Sequence, residues 1–293
     1  MLKRLHFSKE AVHMEIREHK SSFLVYITLR ALVILTMILQ ILNKNYENVF
    51  LCILTLFLLI IPSLIQVEFK IELPTTLEII ILMFIFSAEI LGEIQSFYIM
   101  IPAWDTILHT LNGFLAAAIG FSLVDILNNE KRLQFKMSPL FMALVAFCFS
   151  MTIGVLWEFF EFGMDHFIGT DMQKDTIVQS ITSVALDPTN SNRPITINGI
   201  QDVIINGESL GLGGYLDIGL IDTMEDLFVN FVGAVVFSIF GYFYVKKRGS
   251  GSFVKRFIPK PKERKKDYLK NLQEEEKKKQ LEKDNAKNIG SCR

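Results

Sequence analysis

The sequence predicts an all-α polytopic membrane protein of about six transmembrane helices, with a small extracytoplasmic β-hairpin loop between the fifth and sixth. Three observations carry that expectation. Hydrophobic residues make up 51% of the chain, mean hydropathy is +0.36, and the apolar residues cluster in runs near the roughly 20 residues that cross a bilayer. Lys and Arg gather beside some ends of these runs and thin out beside others. The longest polar gap between runs mixes β-branched residues with Asn-Gly pairs.

The six runs are approximately 23–42, 48–66, 77–95, 105–127, 139–163 and 226–245. The alternative for so apolar a chain is a soluble all-α protein with buried helices. Ahead of the first run, residues 1–22 include MLKRLHFSKEAVHMEIREHK, which lacks the apolar centre of a signal peptide and reads as an amphipathic cytoplasmic lead-in. The first run then directs insertion itself. The membrane domain covers 23–248, including the 165–222 loop, and 249–293 forms a basic, charged cytoplasmic tail. Its link, GSGSFVKRFIPKPKERKK, reads as flexible. The following DYLKNLQEEEKKKQLEKDNAKN has too few apolar positions to pack and reads as a solvated helix, with attraction to anionic lipid heads as a secondary role. Cys52, Cys148 and Cys292 give no disulfide framework.

A formal net charge of −1 hides an asymmetry. Residues 246–293 hold 17 Lys and Arg against 7 Asp and Glu, whereas 165–226 hold 2 against 10. Basic flanks stay in the cytoplasm, and MLKR, NNEKRLQFK and YVKKR fit that side. An even number of spans puts both termini in the cytoplasm of a multi-pass plasma-membrane protein, and the 165–222 loop outside. There, RPITINGIQDVIINGESLGLGGYLDIG carries Asn198-Gly199 and Asn206-Gly207, pairs that favour tight hairpin turns. A hairpin cap over the outer face is expected.

Ionisable groups inside the runs are costly, about 2.5–3.5 kcal/mol at the bilayer centre even on insertion scales, and tend to face the bundle interior. The third run carries Glu89 and Glu93. The fourth opens with Asp105 and His109. The fifth, PLFMALVAFCFSMTIGVLWEFFEFGMD, ends with Glu158, Glu161 and Asp165. The sixth is entered by Asp222, Glu225 and Asp226, with Asn230 one turn deeper. Spacings of three, four and seven place each set on one side of its helix. With the predicted topology, all four sets lie at the outer end. Gly113, Ala116, Ala117 and Gly120 in the fourth run, and Gly233, Ala234, Ser238 and Gly241 in the sixth, are small residues at spacings that let membrane helices approach closely.

Gathered carboxylates repel unless they share protons or bind a cation. One His among several carboxylates suits a divalent metal such as Zn, Mn or Fe. Asp105, His109, Glu158, Glu161, Asp165, Asp222 and Asp226 are the candidate ligands, and Glu158, Glu161 and His109 the candidate general acids or bases. His166, just past the fifth run, is a possible second nitrogen ligand. Each also has a plainer reading. Glu89 and Glu93 sit where an interface tolerates charge, Asp105 fits a helix N-cap, and Asp222 and Asp226 fit caps of the sixth helix. Trp157 suits an interfacial anchor, and Arg30 a counter-ion to an inward acid.

WDTILHTLNGF, GVLWEFFEFGMD and DTMEDLFVNFVGA together resemble the uncharacterised bacterial membrane-spanning proteins related to the inner-membrane protein YjdF, over about residues 20–245. MQKDT (172–176) and GGYLDIGLIDTMEDLFVN (213–230) resemble that family's Gram-positive branch. More distantly, Asp105, His109, Glu158, Asp226, Asn230 and Gly233 follow an order similar to VanZ-like proteins, which are associated with resistance to teicoplanin. Those proteins usually place a Gln after the Glu and an Arg before the last Asp. Here position 161 is Glu and no equivalent Arg is evident, so the phenotype is not transferred. The resemblance implies a fold and a site rather than a settled activity.

Three functions follow. An enzyme would use a metal or a carboxylate–His pair against a lipid or lipid-linked substrate. A cation or small-solute transporter would use the acids as an entry site, and needs a polar path that the charge-poor inner halves of the last three runs do not offer. A non-catalytic envelope protein would bind lipid or a partner through the outer loop. No nucleic-acid partner is expected, and the sequence leaves oligomeric state open.

Overall fold

The computed structural model describes residues 2–128, 136–247 and 253–290. Most of the NNEKRLQFK flank, Arg248, the Gly-Ser joint and Cys292 fall outside them. In chain order the helices are α1 (Leu2–Ile16), α2 (Lys20–Leu42), α3 (Tyr46–Leu58), α4 (Ile61–Glu68), α5 (Thr75–Phe86), α6 (Phe97–Met100), α7 (Trp104–Asn128), α8 (Pro139–Ile168), α9 (Leu220–Lys246) and α10 (Tyr268–Gly290). Short strands are β1 (Ile71–Glu72), β2 (Ile177–Val178), β3 (Ser180–Ser183), β4 (Ile195–Asn198), β5 (Ile204–Ile205), β6 (Glu208–Ser209), β7 (Tyr215–Leu216) and β8 (Lys260–Pro261).

Among the described residues, five helices are long and apolar enough to cross a membrane: α2, Tyr46–Glu68 (α3 with α4), α7, α8 and α9. The third apolar run is not among them. It forms α5 and then widens, without a break, into a π-helical stretch over Ser87–Ile94, closed by the Gln95 amide on the Ile90 carbonyl at 3.0 Å. Gly92 permits the Tyr98 ring to lie against this stretch, since a Cβ there would sit 2.3 Å from it. The chain stops winding at Ser96, whose φ of 60° is left-handed. The second run bends between α3 and α4, where Pro62 leaves no N–H to continue the ladder.

The helices fall into two groups. α7, α8 and α9 make one bundle. Its closest approach is between α7 and α9, where Cβ atoms added at Gly113 and Gly233 would lie 2.1 and 2.0 Å from the Asn230 and Thr110 carbonyl oxygens. The small residues noted in the sequence are therefore points of backbone contact. α8 starts sharply because the Ser138 hydroxyl accepts the Phe141 amide at 3.2 Å, ahead of Pro139. It ends at Gly169, φ 79°. The second group is α2, α3 and α5 with α1 against their end, packed around Tyr26, Leu29, Val33, Cys52, Leu59 and Leu82. The outward faces carry exposed Leu35, Phe57, Phe159, Phe162 and Phe240. Such a girdle on a helix suits lipid contact.

Between α8 and α9 the polar segment forms two-stranded pieces, β2–β7, β3–β4 and β5–β6. Asn206-Gly207 makes the expected tight turn between β5 and β6, with φ of 53° and 88°. Asn198-Gly199 does not. Asn198 ends β4, whose partner β3 lies upstream, and its side-chain oxygen accepts the Ser180 hydroxyl at 2.8 Å. The β3–β4 connection is organised by Asp187, whose carboxylate accepts from the Thr189 hydroxyl and amide (2.6 and 2.9 Å), the Ser191 amide and hydroxyl (both 2.9 Å) and the Arg193 amide (3.2 Å). These donors, Thr189 first, hold its carboxyl well below the usual range. A depressed native value means the loop is favoured above the unfolded value and loses that support as pH falls through the native one. Exchange protection of the Thr189, Ser191 and Arg193 amides should therefore persist at about pH 5 and fall away below the ordinary Asp value of about 3.9. In Asp187→Asn it should be lost at neutral pH. Equal protection in the variant at neutral pH would refute the anchor.

The tail departs from its reading as a solvated segment. Val254, Phe257 and Ile258 are buried in one core with Leu115, Phe121, Met142 and Phe237 of the α7–α9 bundle and Leu77 of α5. β8 pairs antiparallel with β1. Tyr268, Leu269 and Leu272 of α10 pack on the α1–α2–α3 core. Three apolar residues in one turn suffice to dock a helix whose remaining exposed face is charged. The tail thus crosses from one helix group to the other.

Candidate functional site

Because α7, α8 and α9 alternate in direction, the start of α7, the end of α8 and the start of α9 meet at one end of the bundle. There His109 Nε2 lies 3.4 Å from Asp105 Oδ1 and 3.6 Å from Asp226 Oδ2. Glu158, Glu161 and Asp226, all buried, place carboxylate oxygens within 4.8 Å of one another. Asp105, His109 and Asp226 form a second set within the same distance, so Asp226 belongs to both. Glu158 is 5% exposed. Its Oε2 is buried with no hydrogen-bond partner among the described residues.

A buried layer fixes this arrangement from below. Asn230, 1% exposed, accepts from the Asn112 amide at 3.2 Å. It fits only because Gly154 leaves room, where a Cβ would be 2.6 Å from its Nδ2. The Ser150 hydroxyl donates to the Gly113 carbonyl at 2.7 Å and ties α8 to α7. Trp157 donates from Nε1 to Glu161 Oε1 at 2.7 Å, orienting that carboxylate and leaving its other oxygen free of this bond. Trp157 thus positions a site residue, beyond the anchoring expected of it.

Above the cluster a cavity of about 1820 Å³ opens between the two helix groups. Its polar wall includes Glu89, Glu93, Tyr98, Asp105, Glu161, Asp222 and Asp226. Its apolar wall includes Phe50, Leu54 and Leu58 of α3 and Met224 and Phe228 of α9. Glu89 and Glu93 sit on the π-helical stretch, a winding frequent at functional sites. Burial first, then the neighbouring Asp105, pushes the Tyr98 phenol up, so it is a neutral hydrogen-bonding group at any ordinary pH.

Other sequence candidates fall outside the two donor sets. Asp165 is spent on the loop, accepting from the Met172 and Gln173 amides at 2.6 and 2.8 Å and the Thr170 hydroxyl at 2.8 Å. Asp222 lines the cavity but accepts the Lys174 amide at 2.8 Å. His166 is exposed and stacks on Phe162 at 5.6 Å. Arg30 donates to the Tyr26 hydroxyl at 2.8 Å rather than meeting an inward acid. Sequence reasoning missed Asn112, although its spacing of seven from Asp105 and three from His109 put it on their face. It also missed Gln173 and Lys174, whose MQKDT segment clamps the ends of α8 and α9, with Gln173 Nε2 on Thr223 Oγ1 at 2.6 Å.

Fold and site together define a multi-helix membrane protein with buried acidic and His groupings at one end of its bundle. The chain belongs to the DUF2238 family, described as a predicted membrane protein, whose profile matches residues 24–247. No curated protein and no solved structure matches it.

Proposed function

We propose that the protein is a metal-dependent enzyme of the plasma membrane, acting on a lipid or lipid-linked substrate at the cluster of Asp105, His109, Glu158, Glu161 and Asp226. In this reading α5 with its π-helical continuation completes six spans, both termini are cytoplasmic, and the cavity and the 165–222 loop lie on the outer side. Kinship with YjdF and, distantly, with VanZ-like proteins belongs to the same proposal.

The observation that carries it is the buried, unpartnered Glu158 oxygen among converging carboxylates and one His. A buried carboxylate without a partner is expensive, and a divalent cation is the group that would satisfy it. A cation there would lower the pKa of bound water toward neutrality and polarise an ester. The largely apolar cavity with an acidic wall suits an amphiphile, its chain along Phe50, Leu54 and Leu58 and its head toward the acids. Transport is the weaker reading, because Phe121, Phe237, Met142 and Ala117 are fully buried along the inner half of the same bundle and fill the route a relay needs.

Mass spectrometry of the purified protein tests this, with Zn, Mn and Fe offered in turn. Near-stoichiometric metal that drops in folded Glu158→Gln and His109→Ala variants is expected. No metal in any sample refutes the reading and leaves a structural or proton-sharing cluster.

A further inference from the structure

Five donors gather at this site, yet they do not form one coordination sphere. They fall into two sets that share Asp226 and no other residue: Asp105–His109–Asp226 and Glu158–Glu161–Asp226. Ligands about 2.0–2.1 Å from a single ion lie at most about 4.2 Å from each other. Each set holds its donor atoms within 4.8 Å of one another, so small side-chain adjustments bring it within reach of one ion. In the first, the donor separations of 3.4 and 3.6 Å are near the roughly 3.4 Å edge of a tetrahedron around an ion with such bonds. In the second, the Glu158 oxygen waits without a partner in a side chain more than nine-tenths buried.

We propose that the site holds a pair of divalent cations bridged by the Asp226 carboxylate, and that the pair receives a phosphate-ester headgroup. This rests on the metal reading above and goes further in number, arrangement and substrate class. Paired-metal sites hold their ions about 3.5–4 Å apart, a spacing one carboxylate can bridge. Charge supports the pair. Asp105, Glu158, Glu161 and Asp226 bring four negative charges when ionised, which two divalent ions neutralise and one does not. A single ion would leave a net negative centre that repels phosphate. Pairing neutralises the donor set itself, and because Glu89, Glu93, Asp222 and Glu225 keep the cavity wall acidic, the open positions on the two ions are what would attract two phosphoryl oxygens. Asp105, Glu161 and Asp226 line the cavity, so those positions face the space a headgroup would occupy. Glu158 and His109 close the far side. Trp157 and Asn230 behave as supports, holding Glu161 and the α7–α8–α9 spacing.

The test is manganese loading of the full chain in a phosphate-free maltoside detergent, read by metal stoichiometry and electron paramagnetic resonance. Two Mn per chain with an exchange-coupled signal are expected. Asp226→Asn should abolish the coupling, and Glu158→Gln should leave one uncoupled ion. One uncoupled Mn in the wild type overturns the pair while the metal reading stands; no Mn overturns the pair as well, and the Zn, Mn and Fe series above then decides the metal reading. The wild-type spectrum decides this even where a variant fails to fold. Inorganic phosphate, or phosphatidic acid added as mixed micelles, should then alter the coupled signal. Response to phosphatidic acid alone assigns a lipid source, and response to both assigns the shared phosphate chemistry. Response to neither overturns the headgroup assignment.

Discussion

Gly233→Val should destabilise the protein by about 3 kcal/mol and at once abolish the metal binding proposed for the site. The added Cβ would sit 2.0 Å from the Thr110 carbonyl oxygen and 2.8 Å from the Phe114 amide nitrogen. Both obstacles are backbone, so no rotamer relieves them and α9 must move away from α7. Overpacking commonly costs about 1–3 kcal/mol, and a clash with no flexible partner belongs at the upper end. The same displacement carries Asp226 away from Asp105 and His109, which ride on α7. Two contrasts make the expectation specific. Gly120→Ala meets Phe149 of α8, whose Cβ at 2.6 Å is moved by no rotamer change, so α7 and α8 must part slightly at an intermediate cost. Gly163→Ala meets nothing within 4 Å and should stabilise α8 by the roughly 0.5–1 kcal/mol that Ala gains over Gly in a helix. Thermal unfolding in detergent and metal content should rank the three variants in that order. A Gly233→Val protein with the wild-type midpoint would mean that α7 and α9 are not so close.

The helix contact behind that ranking was legible in the sequence, because small residues at four-residue spacing have one main use inside a membrane. The site core was legible for the same kind of reason. Asp105, His109, Glu158, Glu161 and Asp226 are expensive in apolar runs, and alternating helix direction brings them to one level. What periodicity could not separate was a carboxylate in the site from one beside it. Asp165 obeys the same spacing as Glu158 and Glu161, but it lies in the last turn of α8, where loop amides compete for it. The π-helical stretch was also hidden, since apolar composition is blind to whether a turn closes over four residues or five. The loop hairpin showed through Asn206-Gly207, whereas the identical pair at Asn198 was spent on strand β4. The docking of the tail was missed because sequence averages dilute Tyr268, Leu269 and Leu272 among charged neighbours. Its ion pair from Lys262 to Glu15 and its hydrogen bond from Tyr268 to Glu18 join residues about 250 positions apart, a separation no local pattern encodes.

Lys262→Ala should cost about 3–5 kcal/mol, the usual penalty for stranding one member of a buried ion pair. Its ammonium pairs with Glu15, with side-chain exposures of 3% and 2%, and also reaches the Gln66 carbonyl at 3.4 Å. Its backbone amide donates to the Lys70 carbonyl at 2.8 Å. One residue therefore ties α1, α4 and the tail together. Burial raises the Glu15 carboxyl, and Lys262 is the largest opposing influence. Without the lysine the acid is buried and uncompensated. Lys262→Met with Glu15→Gln should recover much of the loss, because it removes both charges and keeps most of the volume. A pH series adds a second signature. The hydrogen bond from the Tyr268 hydroxyl holds Glu18 below its ordinary value. That support is present above the unfolded carboxylate range and lost as pH falls through the depressed native value. Lys266 is raised by Glu72 and then Glu18, so its support is present below the ordinary Lys value of about 10.4 and lost as pH rises through the native one. The tail should thus resist proteolysis across the neutral range and release at both extremes, while in Lys262→Ala it is cut at neutral pH. Because the tail joins both helix groups, its release should also loosen the cavity between them. Wild-type resistance and midpoint in Lys262→Ala would show that the tail is held by its apolar residues alone.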